Sequence, residues 1–235
     1  MRFSSTFIIV VVLFITVLIT SNIIAVKLIH VATLPFRFLG DNLVFLPAAM
    51  IAFPISYIIG DVLTEVYGFR IARGVIWLGF ASNLLVALLL WLGGIIPPEV
   101  FWQGQDAYNT ILGQFPWILL GSFAAYLVGE FSNSATLAFL KFSTRGRFLW
   151  MRTISSTIVG QGFDSFVFIF IAFGAGGDLT GEQLLRTALF QWWAKIAYEV
   201  LATPLTYAVV AYLKRKEQMD VYDVPRSLNP LGVFA

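Results

Sequence analysis

Two heptapeptides carry side chains that could do chemistry: VGEFSNS at 128–134 and VGQGFDS at 159–165. They are one pattern written twice, Val-Gly-Glu/Gln-x-x-Asn/Asp-Ser. Residues three or four apart share a helix face, so Glu130, Asn133 and Ser134 form one polar stripe and Gln161, Asp164 and Ser165 another. Lys195 and Glu199 are an i,i+4 pair, as are Asp61 and Glu65, while Asn22 and Asn83 add isolated amides. All sit in apolar runs, where an ionisable group costs about 2.5–3.5 kcal/mol on insertion into a bilayer. Carboxylates accept hydrogen bonds from the amino edge of a base. Ring faces stack on heterocycles at about 1–3 kcal/mol per base, and a buried acid with a raised pKa can carry a proton. Phe163 and Trp192, with Tyr126, Phe166, Trp193 and Tyr198, lie beside the polar positions and are the stacking candidates. Three acids (Glu130, Asp164 and Glu199) against Lys195 favour a flat, polar, cationic small molecule.

Each of these residues also has a plainer reading. Asn22, Asn83, Ser134 and Ser165 could be hydrogen-bonded glue between helices. Lys27 and Arg186, near run ends, would snorkel to the surface. Asp61 and Glu65 could pair with Arg70 and Arg73, Lys195 with Glu199, and any one aromatic could face lipid. Pairing leaves the surplus negative charge unexplained, and that surplus argues for a site.

The elements that must position these groups are membrane-crossing helices. Of 235 residues, 59% are hydrophobic and 12% charged, against about a quarter charged in soluble domains. Six runs are long enough to span, at about 6–29, 43–66, 70–94, 115–141, 152–175 and 184–213. The first is too long for a signal-peptide core and shows no small-residue cleavage site before Lys27. Lys and Arg set the orientation: an internal N-terminus puts Arg2, Arg70, Arg73, Lys141, Arg145, Arg147, Arg152, Lys214, Arg215, Lys216 and Arg226 inside, and only Lys27, Arg37 and Arg186 outside. The expected fold is all-α: a polytopic bundle of six transmembrane helices with both termini cytoplasmic. Residues 1–213 form the transport domain and 214–235 a cytoplasmic tail. Segment 95–114, opening with Pro97-Pro98, reads as a loop or interfacial piece. If the fourth and fifth runs pack as a hairpin, the twin stripes become two walls of one site. Gly129, Gly160 and Gly162 would allow the close approach.

The chain has no cysteine and one histidine, which excludes a disulfide frame and any Cys- or His-cluster metal site. No cofactor or metal is implied. There is no G-x-x-x-x-G-K-[ST], H-E-x-x-H or G-x-S-x-G, and a net charge of +2 gives no reason to expect nucleic acid.

Several stretches resemble the vitamin uptake transporter family associated with queuosine precursor transport. They are TSN at 20–22 with Lys27, FPISYIIGDVLTEVYGFRIAR at 53–73, VGEFSNS, LWMRTISSTIVGQGFDSFVFI at 149–169 and KIAYEVLATPLTY at 195–207. The resemblance covers most of the membrane region. It implies a six-helix integral membrane protein, not an enzyme, that imports 7-cyano-7-deazaguanine and 7-aminomethyl-7-deazaguanine for salvage into modified tRNA. Many members carry Q-x-x-D where this chain has Glu130-x-x-Asn133. Read with that resemblance, Glu130, Asp164 and Glu199 line the substrate site and Asn133, Gln161 and Lys195 orient the ligand. Asn22, Phe163 and Trp192 contribute, and Asp61 and Glu65 either gate the cytoplasmic side or bind directly. The expected partners are the deazapurine and the lipid bilayer; a homodimer fits. A second architecture fits six helices equally well: a substrate-binding membrane subunit served by a separate ATPase, as in energy-coupling-factor vitamin transporters. An intramembrane enzyme or channel is the third class weighed.

Overall fold

The computed structural model describes residues 4–143, 149–175 and 179–218. Helix α1, Ser5–Ile24, starts where the Ser4 hydroxyl accepts from the Phe7 amide at 3.0 Å, satisfying one of the donors a helix start leaves open. Its 20 residues rise about 30 Å, the thickness of the hydrocarbon layer. The chain then leaves helical structure. Strands β1, Leu28–Phe38, and β2, Asp41–Pro47, form an antiparallel hairpin. Its turn is Leu39-Gly40, with φ of 47° and 83°. Two positive φ values between paired Phe38 and Asp41 make the tight turn whose twist suits a hairpin. The register is irregular between Thr33 and Phe38, around Pro35, which has no amide hydrogen for a ladder.

A 3-10 turn, Ala48–Ile51, leads into α2, Phe53–Tyr67, with Pro54 in its first turn, where the missing amide is harmless. Gly68, at φ 85°, redirects the chain into α3, Phe69–Ile95; a side chain there would be strained. Helix α4, Gln105–Leu112, has no buried residue. It lies back on α3 through the Tyr108 hydroxyl, which donates to the Leu90 carbonyl at 2.8 Å. Then follow α5, Phe115–Ser143, α6, Leu149–Ala172, and α7, Gly181–Glu217. Thr180 and Gln183 form a reciprocal capping box at the start of α7.

The protein is mostly helical, and the hairpin departs from the all-α expectation. The run expected at 43–66 begins as strand and becomes α-helix only at Phe53, and the run at 6–29 ends its helix at Ile24. Among the described residues, four stretches are long and apolar enough to cross a membrane: Ser5–Ile24, Arg70–Ile95, Gln105–Gly129 and Gly181–Glu217. Segment 95–114 contains α4 rather than loop alone. Lys214, Arg215 and Lys216 form the last turn of α7; their charge suits the negative end of the helix dipole. Residues 219–235 of the expected tail, together with Arg145 and Arg147, lie outside the described residues.

Among the described residues a small apolar cluster, Ala87 with Phe115 and Leu119, joins α3 to α5, and two larger ones hold the bundle. One joins α1, α2, α3 and the C-terminal half of α7 through Phe7, Leu63, Val66, Val75 and Leu213. The other joins α5, α6 and the N-terminal half of α7 through Ile118, Phe168, Ile169, Leu184 and Ala188, with Ala25 and Ala49 from around the hairpin. Helix α7 belongs to both, and Pro204 stands inside it. That proline cannot donate to the carbonyl four residues back.

Candidate functional site

Helices α5 and α6 share the most extensive helix–helix interface in the described residues, because small residues let their backbones meet. A Cβ added to Gly129 would stand 3.0 Å from Asp164 Cβ and 3.1 Å from the Gly160 carbonyl oxygen. One added to Gly121 would stand 3.2 Å from both the Ala172 nitrogen and the Phe168 oxygen. Gly121, Ala125 and Gly129 recur every four residues and so form one stripe. The antiparallel hairpin expected of the twin motifs is therefore present, with Gly129 level with Asp164.

Beside this interface lies a cavity of about 520 Å³, a volume ordinary for small-molecule sites. Its walls differ in chemistry. On one, α1, α3 and α5 are tied by a neutral relay. Asn22 Nδ2 donates to Asn83 Oδ1 at 2.9 Å, Asn83 Nδ2 donates to the Gly79 carbonyl at 3.0 Å, and Ser122 Oγ donates to Asn22 Oδ1 at 2.8 Å. Asn22, Ser122 and Ser21 reach the cavity surface, with Phe14, Phe80 and Tyr126. Phe80 and Tyr126 are tilted rings 5.5 Å apart.

On the other wall, α6 presents Thr157, Gln161, Asp164 and Phe168, and α7 presents Lys195 and Glu199. Lys195 Nζ donates to Asp164 Oδ2 in an ion pair; Lys195 is 2% exposed and Asp164 25%. Removing a lysine this far from water is costly without a paired anion. The pair bridges α6 to α7, so Lys195 is matched across helices. Gln161, Lys195 and Glu199 each hold further interactions. Asp164 and Glu199 against Lys195 leave one negative charge in excess among the described lining residues.

The expected site residues separate into three groups. Asn22, Gln161, Asp164, Lys195 and Glu199 come together on the cavity. The side chains of Asp61 and Glu65 on α2, and of Glu130 and Asn133 on α5, lie outside the described residues. Phe163 and Trp192 do not line the cavity. Phe163 is 51% exposed. Consecutive helical residues are about 100° apart, so the face showing Gln161 and Asp164 to the cavity turns Phe163 away. Trp192 donates from Nε1 to the Ile158 carbonyl at 2.9 Å and packs on Gly162, where a Cβ would meet its ring at 3.3 Å. It clamps α7 onto α6. The rings that do face the cavity include Phe14, Phe80 and Phe168, none of which adjoins a charged residue in sequence. Ser122 was equally silent; its one signal is its place beside the Gly121 stripe.

Arg186 overturns the snorkelling expectation. It is 1% exposed and reaches Asp41 Oδ2 at 3.2 Å and the Phe38 and Leu39 carbonyls at 3.4 Å. Its guanidinium lies 5.6 Å from the Phe45 ring centre. It fastens the hairpin turn to α7. The Asn42 amide, donating to Asp41 Oδ1 at 2.7 Å, then the Leu43 amide and then the Arg186 charge hold the Asp41 carboxyl below its ordinary value, against a smaller upward push from burial.

The family model described as "Putative vitamin uptake transporter" matches residues 47–209. A protein of Bacillus subtilis (strain 168) named "Probable queuosine precursor transporter" is 30% identical over 159 residues, 67% of this chain and 69% of that protein. The "Queuosine precursor transporter" of Escherichia coli (strain K12) is 24% identical over 203 residues, 83% of this chain and 85% of its own. No solved structure matches the chain. A family match across most of the polypeptide, on a helical protein with apolar spans around a polar cavity, leads to one assignment: the chain belongs to the vitamin uptake transporter family, a family of membrane transporters and not of enzymes.

Proposed function

We propose that the protein imports queuosine precursors, 7-cyano-7-deazaguanine and 7-aminomethyl-7-deazaguanine, across the cytoplasmic membrane for salvage into tRNA. The names of the two relatives support this class of cargo. The observation that carries it is the charged wall: Asp164, Glu199, Gln161 and Lys195 on one cavity beside aromatic rings. A 7-deazaguanine offers the paired N–H donors of the guanine edge, and a carboxylate can accept two parallel hydrogen bonds. The aminomethyl form adds a cation, which an excess of acid favours. Phe80 and Tyr126 supply ring faces. Six crossings are supported by helix length: α5 and α6, at 29 and 24 residues, can span. The second crossing would be a broken one, with the 3-10 turn preceding a 15-residue α2 of about 22 Å. The balance of Lys and Arg argues for both termini inside.

The test is uptake of radiolabelled precursor by cells making wild-type, Asp164→Asn or Glu130→Gln protein. Loss in the variants is expected, and wild-type uptake by both removes the site assignment. Uptake into vesicles holding the purified protein and no ATP is expected as well. A strict need for ATP and a co-purifying partner would instead identify a binding subunit served by an ATPase. Thermal shift sharpens the cargo: the melting temperature should rise with the aminomethyl form and not with guanine.

A further inference from the structure

Helix α7 buries more polarity than the cavity uses. Thr187, Gln191 and Lys195 recur every four residues and share one face, covering about 12 Å of axis. Thr187 and Gln191 are each 1% exposed, and Ser165 on α6 is 0% exposed. Lys195 bonded to Asp164, Trp192 packed on Gly162, and Leu184 near Gly174 fix an antiparallel register that sets Ser165 level with Gln191. Among the described residues, Ser165 Oγ, Thr187 Oγ1, both carboxamide atoms of Gln191 and Arg186 Nε have no hydrogen-bond partner. Buried polar atoms almost always have one. A sixth such atom, Tyr67 Oη, lies apart in the cluster of α1 and α2; the other five lie between the cavity and the hairpin.

The charge of the row identifies its occupant. Each end is a cation matched to an acid, Lys195 with Asp164 and Arg186 with Asp41. What lies between must be neutral, small, and able both to donate to Gln191 Oε1 and to accept from Gln191 Nε2 and Arg186 Nε. Water meets all three requirements.

We propose that Ser165, Thr187 and Gln191 line a water-bearing passage. It runs from the Lys195 end of the cavity along α7 to the Arg186–Asp41 clasp at the hairpin, and lets the cavity exchange solvent while cargo fills its mouth. It rests on the cavity and not on the deazapurine reading.

The absence of native cysteine makes radiolytic oxidation a clean test, because the radicals form from the bound water itself. Single variants Thr187→Cys and Ser165→Cys are compared with Ala188→Cys, which is 0% exposed in the apolar cluster. Both hydroxyl positions are expected to oxidise about 10-fold faster than the alanine position. Equal, slow oxidation at all three would mean a dry interior and overturn the passage. Fast oxidation at Thr187 alone would break its continuity with the cavity and overturn it too. If a cysteine variant fails to fold, Gln191→Met against Ile169→Met asks the same question with the same expected ratio. No cargo is present in these measurements, so their failure would leave the uptake reading standing, and the failure of uptake would leave them standing.

Discussion

The two walls of the cavity are held by different means. On the α1–α3–α5 side, Asn22, Asn83 and Ser122 use one another and a backbone carbonyl as partners. On the α6–α7 side, a buried lysine is matched to an acid that also meets the cavity, with a second acid one turn away. The neutral relay is what helix association in lipid asks of polar residues, and it does its work with no ligand present. The charged wall keeps an excess of acid in view of the cavity. One wall sets the distance between helices and, in the proposed function, the other sets what the cavity attracts, so substitutions on the two should separate stability from uptake.

The largest effect is expected on the charged wall. Asp164→Asn leaves Lys195 without its acid. The cost should be about 3 kcal/mol, the low end for breaking a buried pair, because the cavity gives Asp164 some access to solvent. Uptake should be lost. The double variant Asp164→Leu/Lys195→Met removes both charges and should recover most of the melting temperature without restoring uptake. Recovery of uptake in the double variant would reduce the pair to a structural contact and erase the contrast between the walls.

Next comes the seam where α5 meets α6. Gly129→Ala places a methyl 3.0 Å from Asp164 Cβ and 3.1 Å from a backbone oxygen, and the backbone cannot swing aside as a long side chain can. Overpacking of this kind costs about 1–3 kcal/mol. It should also shift Asp164 relative to Lys195, so both the melting temperature and uptake per folded molecule fall. A stable variant with normal uptake would show that the seam has slack and that close approach is not what positions the acid.

The neutral wall should respond in stability alone. Asn22→Ala removes two side-chain hydrogen bonds and strands Asn83 Oδ1 in the interior, at about 1–2 kcal/mol. The melting temperature should drop while uptake per folded molecule stays within about twofold, the outcome expected if Asn22 serves the relay rather than the cargo. A larger loss of uptake would move Asn22 from the scaffold to the binding face.

These outcomes depend on features that were unevenly legible in the sequence. The α5–α6 hairpin could be read because both signals were local: a motif repeated on consecutive runs, and glycines at helical spacing. That Gln161, Asp164, Lys195 and Glu199 meet on one cavity could be anticipated because a charged or amide side chain in an apolar run is expensive enough to need a reason. The β-hairpin at 28–47 could not be read by hydropathy, which counts apolar residues without regard to whether they recur every two positions or every 3.6. Leu39-Gly40 was its one local mark, and the strands around it are as apolar as a span. Phe163 and Trp192 do not line the cavity, because adjacency in sequence is not adjacency on a helix face. Arg186 was misjudged for a different reason. A basic residue near a span end is free to snorkel only when nothing covers it, and the cover here is a turn almost 150 residues earlier in the chain.

That clasp carries the smallest expected effect: its cation is as buried as Lys195, but its acid is more open, 39% exposed against 25% for Asp164. Asp41 sits at the hairpin turn with its carboxyl held below the ordinary value, first by the Asn42 amide, then by the Leu43 amide and then by Arg186. A carboxyl so held binds its proton more readily when the chain is unfolded. Its stabilising contribution is therefore complete above the unfolded value of about 3.9 and drains away as pH falls through the lower folded value. The difference in melting temperature between wild type and Asp41→Asn should be constant from about pH 7 to pH 5 and shrink only below about pH 4. Added salt should also reduce it, because the Asp41 side chain is open to solvent. A difference that declined steadily between pH 7 and pH 5 would belong to some other carboxyl. The same salt series on Asp164→Asn should change its difference less, since Lys195 is almost wholly buried and Asp164 meets solvent only through the cavity.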